Sequence, residues 1–343
     1  MTGLAVDVAV AGAGPAGSVA AALLARAGRR VALIDRPDDG RARIGESLPA
    51  AADRLLRRLG LPDVAADGRH RRVRGTLSAW GGPPVLQDAL TSPEGPDWRL
   101  DRPAFDAALR AAAVAAGAVP VAGLARAIGG DAGDWRLDVS GDRPVRAGFL
   151  IDATGRRAAV ARRLGAAQRG EAALMAVWAV GAPLPAGDRG TDRTLIESSD
   201  EGWWYGAVLP DGRPLAACHR PPDSARRLLT RPDAWRDALA RTAVVGPRLG
   251  GAVAFEGVAL SACDARGQVT DPPAGPGWAA CGDAAVAFDP VAAQGLFNAL
   301  ATAAELAEAV GDAGRMAAYA GRLAEVWRVY AARRRAAYAR LAA

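Results

Sequence analysis

Apolar residues run almost unbroken through Leu4–Ala11 (LAVDVAVA), the pattern of a strand buried on both faces. Gly12-Ala13-Gly14-Pro15-Ala16-Gly17 then turns the chain into a helical segment over 15–27, and a second buried strand follows at 30–35. The opening is therefore read as a β-α-β unit. A helix over 49–59 puts Leu55, Leu56 and Leu59 on one face, and Asp101 is the expected N-cap of a helix over 102–116. Trp135–Val139 and residues 145–151 read as a hairpin across Gly141-Asp142, delivering the chain to Asp152-Ala153-Thr154-Gly155.

After Leu164 the texture changes. Residues 174–180, 194–197, 202–209 and 214–219 alternate as antiparallel strands, with Asp211-Gly212 as a turn, and helices are expected at 224–230 and 232–243. The buried-strand texture returns at 277–282, after a Pro/Gly-rich loop at 271–277, and long helices over 294–310 and 315–341 follow. The expected organisation is α/β and discontinuous: residues 1–85, 98–165 and 276–343 build a Rossmann-type nucleotide-binding domain, and 86–97 with 166–275 form an inserted antiparallel β-sheet domain for the substrate.

Composition narrows the chemistry. Half of the 343 residues are apolar, enough for a sizeable core. The net charge of +6 raises the question of nucleic acid, but the 43 basic residues are all arginine and are scattered rather than clustered, so no nucleic-acid partner is expected. With no lysine, neither a Schiff base nor a catalytic ammonium from lysine is available. Cys218, Cys263 and Cys281 are widely spaced and form no CxxC pair, so no zinc site or other metal is expected and a reduced, cytoplasmic setting is the default. The apolar start lacks a basic leader region, and no apolar stretch is long enough to span a membrane.

Two constellations carry the functional reading. In the first turn Gly12 permits the sharp bend, Gly14 lets backbone approach a pyrophosphate, and Gly17 allows close helix–strand packing, while Asp35 ends the second strand where a carboxylate can accept ribose hydroxyls. The second is Cys281-Gly282-Asp283-Ala284-Ala285 with Asp289-Pro290 and Gln294-Gly295-Leu296-Phe297-Asn298. Here an acid ends a strand and a glycine opens a long helix, whose N-terminal amides suit an electron-poor ring system.

Together these strings resemble the FAD-dependent monooxygenases of the p-hydroxybenzoate hydroxylase and flavin-halogenase-like fold. Gly45-Glu46-Ser47-Leu48-Pro49, Leu100-Asp101-Arg102-Pro103-Ala104-Phe105-Asp106 and Asp152-Ala153-Thr154-Gly155 complete the family's order. The resemblance implies a GR2-like FAD-binding domain holding FAD non-covalently. It implies that Gly12, Ala13, Gly14, Pro15, Ala16 and Gly17 hold the pyrophosphate and that Asp35, with Arg36 next to it, serves the adenosine ribose. Arg43, Glu46 and Ser47 would lie beside the pyrophosphate and flavin, Arg102 would brace the cofactor, and Asp283 would bind the ribitol. Pro290 would stand beside the isoalloxazine, with Gly295, Leu296 and Asn298 at its pyrimidine edge.

Ser78-Ala79-Trp80-Gly81 and Trp98-Arg99-Leu100-Asp101-Arg102 look most like a narrower group, the flavoproteins that mature tryptophan-derived quinone cofactors of amine and amino-acid oxidases. Gly202-Trp203-Trp204-Tyr205 is similar to the Gly-Trp-x-Trp-x-Ile-Pro string of flavin halogenases, but Tyr205 replaces the second tryptophan and Pro210 comes two residues late. On a strand Trp203 and Tyr205 share one face and Trp204 takes the other. Trp80, Trp203, Trp204, Tyr205, Pro290 and Gln294 are the candidate pocket residues, set against the plainer reading of the aromatic string as a core layer. No catalytic side chain is singled out. His219 reads as structural, and His70, among Arg69, Arg71, Arg72 and Arg74, as part of a solvated surface. Met316, Tyr319, Leu323, Trp327 and Tyr330 read as a core stripe.

The expected activity is hydroxylation of an electron-rich aromatic substrate, a small molecule or a tryptophan of a partner polypeptide. Electrons would come from NAD(P)H or from a separate flavin reductase as partner. The rivals are a flavin-dependent reductase or dehydrogenase of a lipid or polyketide, and a flavin-binding assembly factor without turnover. Halogenation is disfavoured, because the family's halogenases employ a lysine that this chain lacks.

Overall fold

The computed structural model describes residues 3–37, 40, 43–185 and 191–341. The N-terminal pattern folds as expected into β1 (Leu4–Ala11), α1 (Pro15–Arg26) and β2 (Val31–Asp35). Further along come β3 (Gly75–Ala79), α2 (Arg102–Ala115), β4 (Val119–Ala122) and β5 (Val145–Asp152). Asp101 caps α2 by accepting from the Ala104 N–H at 3.0 Å. The middle of the chain supplies β6 (Met175–Val180), β7 (Thr194–Ser199), β8 (Gly202–Val208), β9 (Pro214–Arg220) and β10 (Ser261–Asp264). The chain returns through β11 (Trp278–Ala280) to the long helices α3 (Gly295–Ala309) and α4 (Ala313–Ala339).

Strands β11, β5, β1, β2 and β4 lie side by side in parallel within an eight-stranded sheet. Segments from both ends of the sequence thus meet in one sheet. Its core is apolar and rich in alanine, from Val8 and Val10 to Leu300 and Leu306. The small side chains of α1 let that helix pack closely between the sheet and α3.

A seven-stranded sheet, ordered β10, β6, β9, β8, β7, β3 and the strand Val85–Asp88, forms the other layer. Five of its strands fall in the segment 166–275, read as the substrate domain. The sheet differs from the sequence reading in two respects. β3, grouped by sequence with the nucleotide-binding part, pairs in parallel with β7, so the sheet is mixed rather than wholly antiparallel. Leu77 and Ala79 explain the placement, since they pack against the core formed under this sheet by Trp204, Trp235 and Phe255. The end of the short segment 86–97 also leaves that sheet, because Asp97–Arg99 pairs with Ser47–Leu48 and with Arg71–Val73. Among the described residues no helix is long and apolar enough to cross a membrane.

Where β5 ends, Asp152 is fully buried and its carboxylate accepts from the Thr154 N–H and hydroxyl and from the Val160 and Ala161 N–H groups, at 2.6–2.9 Å. It fastens the turn that packs against Gly12. Asp152→Ala leaves these buried donors unpaired and is expected to cost about 2–4 kcal/mol, since each orphaned group costs about 1–3 kcal/mol. Urea denaturation followed by far-UV circular dichroism measures the loss.

Candidate active site

The glycines of the first turn divide according to what a side chain would meet. A Cβ at Gly12, where φ is +104°, would lie 2.2 Å from the Ala153 carbonyl oxygen, and one at Gly17 would lie 1.8 Å from the Gly12 carbonyl oxygen. Both are required by the protein's own packing. Gly14 has nothing within 4 Å, so this face of the turn is open to a ligand. Gly14 is also the N-cap of α1, with Pro15 following and no side chain capping the helix. The Ala16 and Gly17 N–H groups are left without intrahelical partners at the positive end of the helix dipole, which suits a phosphate. Asp35 closes the turn by accepting from the Ala13 N–H at 2.7 Å and the Arg36 N–H at 2.8 Å.

A cavity of about 410 Å³ opens beside this turn. Of the residues singled out by sequence, Gly14, Pro15, Ala16, Arg43, Glu46 and Ser47 line it, as do Arg102, Tyr205, Asp283, Pro290, Gln294, Gly295 and Leu296. Gly12, Ala13, Gly17, Asp35 and Arg36 support the turn without lining the cavity. Arg102 braces it by donating to the Gly45 carbonyl at 2.7 Å while pairing with Asp106 at 3.1 Å. α3 begins at Gln294 with no side-chain cap, and a Cβ at Gly295 would meet nothing within 4 Å. A second uncapped helix terminus thus faces the same space.

Several expected positions are corrected. Asn298 lies one turn into α3 and its amide donates to the Val286 carbonyl at 2.8 Å, away from the cavity and in the groove between α3 and α4. Trp204 points to the opposite face of β8, into the second core, edge-on to Trp235 with ring centroids 5.3 Å apart. Trp80 also lies outside the cavity: it donates to the Ala337 carbonyl at 2.8 Å and packs edge-on against Trp203 and Tyr338. Trp203 is buried behind the cavity wall, stacked on His219 with ring centroids 3.7 Å apart. His70 is buried rather than solvated; its Nδ1 accepts from the Asp101 N–H at 3.1 Å and its ring packs edge-on to Phe105. The helix-α4 stripe does enter the core, with Tyr319, Leu323 and Tyr330 buried.

Tyr205 and Glu46 do not act separately. The Tyr205 hydroxyl donates to Glu46 Oε1 and accepts from Arg99 Nη1, and it lies 3.1 Å from Ser47 Oγ. Arg99 is itself buried and donates to Ser47 Oγ at 2.6 Å and Thr194 Oγ1 at 2.9 Å. The Glu46 carboxylate is therefore committed to Arg99 and Tyr205 rather than free for the cofactor. Burial, reinforced by the Glu46 charge, drives the Tyr205 hydroxyl well above the usual phenol range, with Arg99 opposing, so it stays protonated.

The sequence reading did not mention Arg156; it quoted Arg99 and Asp289 only inside motif strings and read His219 as structural. Arg156 follows Asp152-Ala153-Thr154-Gly155; it lines the cavity, donates to the Phe288 carbonyl at 2.6 Å and lies 3.6 Å from Asp283. Burial raises the Asp283 carboxyl above its ordinary value, and Arg156 and Arg102 pull it back. Asp289, wholly buried, accepts from the Val291 N–H at 3.0 Å, Arg334 Nε at 2.9 Å and the Tyr338 hydroxyl at 2.8 Å. Tyr338 in turn accepts from Trp203 Nε1 at 2.9 Å, so one chain of contacts runs from the Pro290 loop to the sheet. The signal available for Asp289 was its place beside Pro290; its partners lie about 45 residues away in sequence.

The fold and this site define a flavin-binding oxidoreductase. The chain belongs to the FAD binding domain family, whose pattern matches residues 5–341. It is 29% identical over 307 residues to the "Putative FAD-dependent oxidoreductase LodB" of Marinomonas mediterranea, covering 87% of this chain and 82% of that one. Its fold matches that of QhpG, a peptidyl tryptophan dihydroxylase essential for tryptophylquinone cofactor biogenesis, with a TM-score of 0.79 and 23% identity over 98% of this chain and 75% of that one. It also matches CmlS, a flavin-dependent halogenase, with a TM-score of 0.78 and 22% identity over 96% of this chain and 63% of that one.

Burial holds the His219 imidazole down to about 3, against the pull of the Trp203 backbone carbonyl. The unfolded chain takes up a proton at this residue near pH 6.5. Between those values the unfolded state binds more protons, so stability falls as pH falls, with a limiting slope of about 1.4 kcal/mol per pH unit. Wild-type protein is expected to lose about 1 kcal/mol more than His219→Phe between pH 6 and pH 5. Urea titrations of both proteins at the two pH values measure the difference.

Proposed function

We propose that this chain is an FAD-dependent monooxygenase that hydroxylates an electron-rich aromatic ring, with a tryptophan side chain of a partner polypeptide as the substrate. The observation that carries the reading is the composition of the cavity. On the sheet side it is lined by Ala176, Ala217 and Leu215, flanked by Tyr205 and His219; from the nucleotide-binding part come Pro290 and the open start of α3. Small residues between two aromatic side chains leave room for a flat ring beside the segment assigned to the flavin. The relation to QhpG, which acts on a peptidyl tryptophan, favours the polypeptide substrate.

In this reading the α1 terminus with Gly14, Pro15 and Ala16 holds the pyrophosphate, Asp35 the ribose and Asp283 the ribitol. Arg43 and Arg102 stand beside the pyrophosphate side, and Pro290, Gly295 and Leu296 beside the isoalloxazine. The open faces at Gly14 and Gly295 and the two uncapped helix ends fit such a ligand. When bound, the flavin supplies the activation of O₂. The chain contributes binding, orientation and exclusion of water. Glu46 and Tyr205, being bonded to each other and to Arg99, serve as a rigid wall rather than as acid or base. The sequence has one Gly-x-Gly-x-x-Gly turn, so reduction comes from transient NAD(P)H contact or from a partner reductase. The three free cysteines fit a cytoplasmic setting.

Asp283→Ala removes a charged anchor worth about 1.5–3 kcal/mol and is expected to raise the dissociation constant for FAD about tenfold to a hundredfold. Fluorescence titration of the apoprotein with FAD measures it; unchanged affinity refutes the ribitol assignment. The activity itself is tested with reduced flavin, ¹⁸O₂, chloride or bromide and an indole-bearing substrate. The expected product carries ¹⁸O and no halogen, because the chain has no lysine amine and arginine is a poor nucleophile. An enzyme-dependent halogen isotope pattern in the mass spectrum overturns the reading, and so does a reduced or desaturated product without ¹⁸O.

A further inference from the structure

Arg156 is held at both ends. Its backbone carbonyl accepts from Gln168 Nε2 at 2.9 Å and from Gln268 Nε2 at 2.5 Å. Its guanidinium donates from one terminal nitrogen to the Arg266 carbonyl and from the other to the Phe288 carbonyl, both at 2.6 Å. That leaves the Nε edge to face Asp283, whose Oδ2 lies 3.6 Å away, beyond hydrogen-bond distance but close enough for the charges to attract. Both side chains line the cavity, Arg156 26% and Asp283 35% exposed, so neither is sealed off from a ligand there.

Asp283 differs from the other carboxylates of this region in what its oxygens do. Asp152 accepts four hydrogen bonds and Asp289 three. Among the described residues no N–H or O–H donates to the Asp283 carboxylate, and Arg156 is its ion-pair partner. The turn that carries it packs against α1 at Ala16 and against α3 at Ala299. The first turns of both helices, and the strand Val286–Ala287 beside them, present no titratable side chain. Arg157 is exposed, and Asp289 is committed to Arg334 and Tyr338. The further charge acting on Asp283 is Arg102 of α2, which is itself paired with Asp106. Removal from solvent raises the Asp283 carboxyl, and Arg156, ahead of Arg102, pulls it down.

We infer that Arg156 is a positioning residue that acts through Asp283, giving this carboxylate a counter-charge without occupying its oxygens, so that both stay open to the ribitol hydroxyls of FAD. The inference rests on the proposed placement of the ribitol at Asp283. A guanidinium bonded directly to the carboxylate would compete with the ligand for the same acceptor positions. With no counter-charge the carboxyl would protonate more readily, and its hydrogen bonds would become weaker, neutral ones. Tying both terminal nitrogens to backbone carbonyls avoids both outcomes.

The test is the pH dependence of FAD affinity, followed by fluorescence titration of the apoprotein from about pH 8 to about pH 5. The ionised carboxylate is the tight-binding form, so affinity is lost as pH falls through the pKa of the carboxyl. Without Arg156 that pKa rises, and Arg156→Gln is expected to lose affinity at a pH about one unit or more above wild type. Arg156→Lys keeps the charge while giving up the paired carbonyl bonds, and is expected to follow the wild-type profile. In Asp283→Asn the profile is expected to be flat, and adding Arg156→Gln to it changes the affinity by less than about twofold. An unchanged melting temperature of the apoproteins shows that the variants are folded; where Arg156→Gln does not fold, the lysine variant decides. An Arg156→Gln profile that coincides with wild type, an Arg156→Lys profile displaced from it, or an equal loss when Arg156→Gln is added to wild type and to Asp283→Asn overturns the inference and leaves the ribitol assignment standing. Asp283→Asn that binds FAD as tightly as wild-type protein across the range removes the ribitol assignment and the inference with it.

Discussion

The buried carboxylate of Asp289 is the interaction on which the arrangement of the site depends. A lone carboxylate in that position would be strongly disfavoured, and it is tolerated because Arg334, Tyr338 and a backbone N–H all bond to it. Arg334 also bonds Glu171 at 2.6 Å, and the Asp289 N–H donates to Tyr330. The result is that α4, through Arg334 and Tyr338, fixes the loop that carries Pro290. The same cluster reaches the sheet through Tyr338 and Trp203. Removing either ionic partner would strand a buried charge, so the loop, the helix and the sheet are expected to stay together or be lost together.

A second joint does the equivalent work on the other side of the cavity. Arg99 comes from the small sheet next to Gly45-Glu46-Ser47, while Tyr205 and Thr194 come from the seven-stranded sheet. The two parts of the molecule therefore meet through oriented hydrogen bonds rather than through apolar contact alone. Such contacts are directional, so they fix the separation and angle of the walls more tightly than apolar packing. The cavity between them therefore has walls of fixed separation.

The legible portion of the fold was the portion encoded locally. β1, α1 and β2 follow from a continuous apolar run, a glycine turn and a second run, and α2 from its Asp101 N-cap. The roles of the glycines at 12, 14 and 17 were legible as a set, whereas the partner that Gly12 packs against, Ala153, lies more than 100 residues away. Arg99 and Arg334 look in sequence like any other arginine of an arginine-rich chain. Their burial is decided by carboxylates that arrive from distant segments. His70 was misplaced for the same reason: its arginine neighbours point outward to Asp67, Pro96 and Asp192, while the imidazole turns inward to cap Asp101. Asn298 was assigned by its place in a motif, whereas its amide is committed to the Val286 carbonyl.

The string Gly202-Trp203-Trp204-Tyr205 shows how strand geometry distributes function. Successive side chains of a strand point to opposite faces, so three adjacent aromatic residues cannot form one lining. Trp204 is spent on the core with Trp235 and Phe255, where its value is buried area. Trp203 and Tyr205 share the face toward the cavity, but the next strand decides what each can do. β9 pairs with β8 in antiparallel register, placing His219 opposite Trp203 and Ala217 opposite Tyr205. A stacked pair can form only at the first position. At the second, alanine leaves space, and the Tyr205 hydroxyl is free to reach Glu46 and Arg99. A stacked pair and a small side chain that leaves open volume therefore lie two residues apart on one face of β9.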